Sequence, residues 1–472
     1  MFSAVFLLAA LQAYAADPAV DWEKLKPEIL EHYQSVVRIN SSSPPGNETA
    51  VVNYLKGVLD REGIGYQVFA LDPNRANLVA RLKGNGRKRP ILVLGHTDTV
   101  GVQPEKWPVD PFGAIRKDGY VWGRGTTDNK DCVTAGLMLM LELKRLRIPL
   151  DRDVIYIAEA SEESSSGPVG VGIDYLVKEH WPEIEGEFAL AEGGFVHSEN
   201  GRVRYVEIAA TEKVPRRARL VATGTSGHGS RPRRDNAIVH LGAAVGKVGT
   251  WQTPMRLNDI TRTFFERLAT ISPPEEAARY TGLVDPQKTA AIQDYFADHD
   301  LGKYSILRTS VSPTMINGGF RLNVIPSQAE AMLDIRALPD EDMTAFFASM
   351  ERVIGDPAVK IVPDPPGRPA AAPSKLDSDM FRALEAVQRR MYPNAITIPG
   401  MVTGATDLAQ LRSRGVQAYG IGPRFDEAEF AEHGWHSDVE RLSEDSLYRF
   451  VEFLWNAVLE VAASRLARRA SP

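Results

Sequence analysis

The stretch Arg89-Pro-Ile-Leu-Val-Leu-Gly-His-Thr-Asp-Thr-Val100 restricts the fold more than any other part of the chain. An apolar run of strand length that stops on a glycine and then presents His96, Thr97 and Asp98 reads as a buried strand with chemistry at its carboxyl end. In open α/β sheets the ligand site lies just beyond the carboxyl ends of the strands. Residues i and i+2 share a face of an extended chain, so Asp98 can sit behind His96 and support it.

The same junction recurs. Asp153-Val-Ile-Tyr-Ile-Ala158 runs into Glu159 and then Ser161-Glu-Glu-Ser164, and Glu187-Phe-Ala-Leu-Ala191 ends at Glu192-Gly-Gly194. Adjacent carboxylates repel unless a cation or a shared proton relieves them, which makes Glu162 and Glu163 unusual at the end of a buried strand. Thr126-Thr-Asp-Asn-Lys130 leads into a helix marked by Val133, Leu137, Met140 and Leu141, with Asp128 at its entrance. Taken alone, an aspartate there is usually a helix cap.

At 472 residues, 43% hydrophobic and 25% charged, the chain is globular and too long for one ordinary domain. A net charge of -6 provides no basic footprint for nucleic acid, and no stretch after the amino terminus has the apolar length of a membrane span. Residues 1–15 form a short apolar block closing on Ala13-Tyr-Ala15, and read as a secretory signal that lacks the usual leading lysine or arginine. A plain apolar helix is the alternative. Export implies a periplasmic or secreted protein. The single cysteine, Cys132, excludes an internal disulfide and reads as a small buried hydrophobe.

Turn chemistry and apolar spacing divide the rest. Helices are expected over Trp22–Arg38 and after a cap at Asn47, strands over Tyr66–Leu71 and Asn77–Leu82, and an irregular loop from Val100 to Gly125. Arg216–Thr223 alternates as a half-exposed strand and Asp235–Val248 is helical. A long polar, partly helical region covers Trp251–Gly302, and Phe320–Pro326 and Ala329–Arg336 read as antiparallel strands. The expected fold class is therefore α/β: a mixed-sheet catalytic domain formed by residues 16–211 and 337–472, interrupted by an inserted α+β domain over 212–336.

Gly95-His-Thr-Asp98, Gly123-Arg-Gly-Thr-Thr-Asp-Asn-Lys130, Ser161-Glu-Glu163, Glu192-Gly-Gly194, Gly227-His-Gly229 and His436-Ser-Asp-Val-Glu440, in that order, resemble the zinc-dependent carboxypeptidase and aminoacylase family. That family includes carboxypeptidase G, acetylornithine deacetylase and succinyl-diaminopimelate desuccinylase. The enlarged Trp251–Gly302 region resembles its carboxypeptidase S and N-acyl-amino-acid hydrolase branch more than the compact carboxypeptidase G branch.

The resemblance implies two zinc ions bridged by Asp128, one also held by His96 and Glu192, the other by Glu163 and His436, with cobalt or manganese able to substitute. Imidazole and carboxylate suit zinc, and an open position between two ions accommodates an acidified water. Glu162 is implied as the general base, Asp98 as the partner of the second His96 nitrogen, and Asp128-Asn129 as a cis peptide. His228 is implied to steady the oxyanion. Asn323, Arg336 and Gly404 are implied to hold the substrate, Arg336 through its carboxylate.

His433 competes with His436; the glutamate four residues after His436 favours the latter. Ser161 departs from the aspartate frequent at that position in the family. The expected activity is hydrolysis of an amide beside a free carboxylate, in a C-terminal peptide bond or an N-acyl amino acid, with a homodimer formed through the inserted domain. A non-catalytic metal-binding or ligand-capture protein on the same fold is the alternative, and the presence of Glu162 argues against it.

Overall fold

The computed structural model describes residues 20–164 and 170–464; the expected signal, residues 1–15, lies outside them. A ten-stranded mixed sheet runs in the order Tyr66–Phe69, Asn77–Leu82, Val154–Glu159, Ile91–His96, Phe188–Ala191, Gln417–Gly420, Arg202–Glu212, Phe195–Glu199, Arg424–Asp426, with Ile396–Val402 also paired to Arg202–Glu212. Ile91–His96, every residue of it buried, lies parallel to both Val154–Glu159 and Phe188–Ala191. Strand parity then sorts the core. Ile91, Val93, Val154 and Tyr156 face helices including Lys130–Arg145 and Glu444–Ala462, whereas Leu92, Leu94, Ile155 and Ile157 face Ile173 and Leu176 on the other side.

A separate four-stranded antiparallel sheet, in the order Ser310–Gly318, Gln328–Ala337, Val214–Thr223, Val359–Pro363, packs on the helices Ala237–Gly249 and Met343–Ile354. Its last strand and second helix lie beyond residue 336, so we draw the end of the inserted unit at Pro363. The strand expected over Arg216–Thr223 runs over Val214–Thr223 and is interior to this sheet, flanked by Gln328–Ala337 and Val359–Pro363. Ser310–Gly318 is an outer strand instead. Phe320–Pro326 is extended only over Val324–Ile325, which pairs with Gly227–His228.

The Trp251–Gly302 region is mostly helical, comprising Asp259–Ala269, Pro274–Gly282, Thr289–His299 and the start of Leu301–Ile306. Phe264, Phe265, Tyr280 and Phe296 form its core together with Ile398 and Met401 of the large sheet. The insertion is thus anchored on the catalytic sheet. Within the loop after Val100, Ile115–Lys117 and Tyr120–Trp122 form a hairpin that pairs with Arg441–Ser443, bringing the carboxyl-terminal segment beside the Asp128 turn.

Candidate metal centre

Three neighbouring parallel strands end on the same side of the sheet, so the chain segments after them converge. His96 closes the first, Glu162 and Glu163 follow the second, and Glu192 follows the third. Asp128 enters from the turn before the helix Lys130–Arg145. Asn129 takes the N-cap position of that helix and makes no side-chain cap bond, leaving Asp128 free of a capping role. The Asp128-Asn129 peptide is cis, as expected.

Two clusters of potential metal donors share His96: His96, Asp128 and Glu163, and His96, Glu162 and Glu192, each with its donor atoms within 4.8 Å of one another. Asp128 offers one oxygen to each histidine. Its Oδ1 is 2.9 Å from His96 Nε2 and its Oδ2 is 3.2 Å from His436 Nε2. His96 Nε2 lies 3.6 Å from Glu192 Oε2, and His436 Nε2 lies 2.8 Å from Glu163 Oε1. Ligand bonds of roughly 2.05 Å around tetrahedral zinc put neighbouring donors about 3.3 Å apart, so these separations and this chemistry fit a two-zinc donor set. His433 stands elsewhere, with Nδ1 3.3 Å from the Val439 carbonyl and its ring edge-on to Trp122.

The charges of the cluster favour bound cations. Burial raises the Asp128 carboxyl, but hydrogen bonds from His436 and His96 outweigh it and hold the group below the usual carboxylate range. Glu163 is raised to about 7 by burial and by Asp128, against the pull of His436. His436 is raised to about 10 by its hydrogen bonds with Asp128 and Glu163. For His96, burial works downward, yet Glu192, Asp128 and Asp98 lift it well above its ordinary value. Protons or metal ions must fill this site.

Asp98 supports the centre in two ways. His96 Nδ1 approaches the Asp98 backbone carbonyl at 3.1 Å and its carboxylate only at 3.4 Å. The carboxylate accepts hydrogen bonds from the backbone N–H groups of Glu162 and Glu163, each at 3.1 Å, and thereby ties the two glutamates to the His96 strand. Glu440 performs a similar service across the sequence. Fully buried, it accepts from the Thr127 backbone N–H at 2.8 Å and from Arg124 Nη1 at 2.5 Å, locking the Asp128 turn to the segment that carries His436. Asn129 donates to Glu192 Oε2 at 2.6 Å.

Asp128, Glu162, Glu163, Glu192 and His436 line a cavity of about 1070 Å³. Arg336 and Gly404 also line it, although Arg336 is forked onto Asp334, with Nε–Oδ1 2.8 Å and Nη2–Oδ2 3.1 Å. His228 and Asn323 are not among the lining residues. They neighbour each other on the inserted unit, where the Asn323 carbonyl accepts from Gly229 and His228 Nδ1 accepts from Ser230. Within one chain, then, the structure gathers the proposed ligands, Glu162, Arg336 and Gly404, and leaves His228 and Asn323 apart.

Residues 92–460 match the description Peptidase family M20/M25/M40. The chain belongs to that family. The human N-fatty-acyl-amino acid synthase/hydrolase is 28% identical to this M20 chain over 328 residues, covering 68% of the chain and 64% of the human protein. The chain thus spans just under two thirds of that relative. A probable succinyl-diaminopimelate desuccinylase of Staphylococcus aureus is 26% identical over 393 residues, 82% of this chain and 87% of the other. Among solved structures, an M20 family metallo-carboxypeptidase from Sulfolobus solfataricus superposes with a TM-score of 0.68 at 18% identity, covering 92% of this chain and 99% of that one. Human carnosine dipeptidase 1 gives 0.64 at 17%, covering 95% and 97%. These likenesses show the M20 fold.

Two functional elements escaped the sequence reading. Arg124 was seen only as part of a motif, and its buried pairing with Glu440 could be suspected from neither residue alone. Arg368, in the proline-rich segment after the small sheet, reaches Glu162 Oε1 at 2.5 Å. A lone arginine among prolines reads as solvated, and nothing nearby in sequence signalled otherwise.

Proposed function

We propose that the protein is a two-zinc amidohydrolase acting on an amide beside a free carboxylate, with N-acyl amino acids as the preferred class. The observation that carries this reading is Glu162: a partly buried carboxylate beside the donor cluster, lining a cavity, while Asp128, Glu163, Glu192, His96 and His436 suffice to hold two ions. Zinc bound there would acidify a water and polarise the amide carbonyl. Glu162 takes the proton from the attacking water and passes it to the leaving nitrogen; burial raises its pKa despite Arg368, which improves it as a base. Asp98 orients the base through the backbone bonds described above.

The acyl preference is supported by apolar residues in the cavity lining, Phe195, Phe264, Ile306 and Met401, of which Phe264 comes from the helical insertion. The name of the human relative points the same way. The test is a panel of N-acyl amino acids of graded chain length, their amidated counterparts and dipeptides. Faster turnover of longer acyl chains with a free carboxylate is expected. Equal turnover of free and amidated forms defeats the carboxylate requirement, and a preference for dipeptides moves the substrate to peptides.

The same proposal includes a homodimer through the inserted unit and export directed by residues 1–15. Ile238, Val239, Met315, Ile316, Phe320 and Leu322 are all exposed on the small sheet, its helix and the adjoining loop, beside an outer strand. Pairing there supports delivery of His228 to the neighbouring chain's site. Mixing His228→Ala with Glu162→Gln protein restores activity if it does; mixed dimers that stay inert place His228 in its own chain, and a monomer by light scattering removes the idea. No helix among the described residues is long and apolar enough to cross a membrane. Amino-terminal sequencing of exported protein checks the signal.

A further inference from the structure

The hydrolytic reading leaves unexplained why Glu162 serves as a base at all. Its carboxylate has an oxygen within 4.8 Å of donor atoms on both His96 and Glu192, and a carboxylate binds zinc as readily as it accepts a proton. Glu163, its neighbour, is assigned to metal on the same chemistry. Something must keep Glu162 off the ions.

Arg368 is placed to do so. Its Nη2 lies 2.5 Å from Glu162 Oε1 and donates to the Glu162 backbone carbonyl at 3.2 Å, while Nη1 lies 3.2 Å from Asp407 Oδ1. Asp407 is itself on fixed ground. The preceding Thr406 donates through its backbone N–H and its hydroxyl to Glu212 at 2.9 and 2.7 Å, and Glu212 pairs with buried Arg412 at 2.7 Å. From the other side, Arg216 of the small sheet donates to the Arg368 carbonyl at 2.9 Å. The planar guanidinium is therefore braced by Asp407, with the Arg368 backbone held by Arg216, and it engages one carboxylate oxygen of Glu162, leaving the other for the reaction.

We infer that Arg368, braced by Asp407, is a positioning residue that prevents Glu162 from collapsing onto the metal donors and so preserves it as the base. The inference rests on the hydrolase reading above. It assigns a purpose to a segment whose sequence suggests only a linker, and it makes the division of labour between Glu162 and Glu163 a matter of which carboxylate an arginine restrains.

The experiment uses full-length protein loaded with cobalt in place of zinc: wild type, Arg368→Ala, Arg368→Lys, Asp407→Asn, Glu162→Gln and the double variant Arg368→Ala/Glu162→Gln. An added carboxylate ligand raises the coordination number and weakens the visible cobalt bands. Arg368→Ala is expected to show weaker bands than wild type and a kcat lower by about 10–100-fold, as for loss of a group that orients a metal site. KM should stay within about twofold. The double variant should recover the wild-type spectrum, because the amide is a poor ligand, and added guanidinium should restore part of the Arg368→Ala activity.

An unchanged spectrum and kcat in Arg368→Ala overturns the inference, as does a raised KM at constant kcat, which makes Arg368 a substrate contact. If Arg368→Ala does not fold, Asp407→Asn carries the same spectral test, and wild-type bands there count against the brace. Inert wild type sinks the hydrolase reading instead, while the cobalt spectra still report on the restraint; active Glu162→Gln removes the base assignment and the inference with it.

Discussion

Glu163 Oε1 and His436 Nε2 meet at 2.8 Å although 273 residues separate them in the sequence. His436 is 52% exposed, whereas His96 is 2% exposed. The two halves of the metal centre therefore differ in access to solvent. Limited chelation should strip the ion on the His436 side first, leaving protein with one zinc equivalent by atomic emission. Glu163→Ala and His436→Ala should both reproduce that one-zinc state, and two full equivalents in either variant would remove that residue from the ligand set.

Glu162→Gln should keep both zinc equivalents and the folded state while kcat drops by about 10²–10⁴-fold, the usual share of a positioned base. The amide retains the shape and cannot accept the proton. Stopped turnover with intact metal content separates this variant from the Glu163 change; near-normal turnover removes the base assignment.

Zinc affinity should depend steeply on pH. In the metal-free protein His436 keeps its proton up to about pH 10 and Glu163 keeps one up to about pH 7. The metal takes the deprotonated forms, so binding expels these protons, and raising the pH favours binding. Between those two values His436, together with the raised His96, makes the apparent affinity fall by at least about tenfold for each unit of pH lowered, and below the lower one Glu163 steepens the fall. Competition against a chelator of known protonation measures the slope; a flat profile contradicts the proton-filled site.

Glu440→Ala removes one partner of a buried ion pair and leaves Arg124 uncompensated, with Arg124 3% and Glu440 0% exposed. Such a break costs about 3–5 kcal/mol of stability. It also frees the Asp128 turn from the His436 segment, so zinc should be lost at chelator concentrations the wild type tolerates. Thermal melts of the metal-free proteins read the first effect and chelator titrations the second.

Much of this centre was legible because the fold places chemistry at strand ends. His96, Glu162, Glu163 and Glu192 each follow a buried apolar run, and that pattern needs no three-dimensional information. Asp128 was ambiguous until the N-cap position went to Asn129. Less local facts stayed hidden. Asp98 shares a strand face with His96 and its carboxylate lies 3.4 Å from His96 Nδ1, but the two backbone N–H groups it also accepts from belong to Glu162 and Glu163, a segment distant in sequence. The interior position of Val214–Thr223 depends on Val359–Pro363, a strand arriving from beyond the expected boundary. Arg368 gave no periodic or compositional signal, since its partners Glu162 and Asp407 come from distant segments.

The pairing of Arg441–Ser443 with Tyr120–Trp122, and of Glu440 with the Asp128 turn, has a consequence for synthesis. Asp128 leaves the ribosome long before His436 does, so a growing chain carries an incomplete donor set until its final strand has been made and docked. Retention of the ion on the His436 side thereby discriminates finished polypeptide from stalled or clipped fragments, whereas the donors on the His96 side are complete once Glu192 has been made.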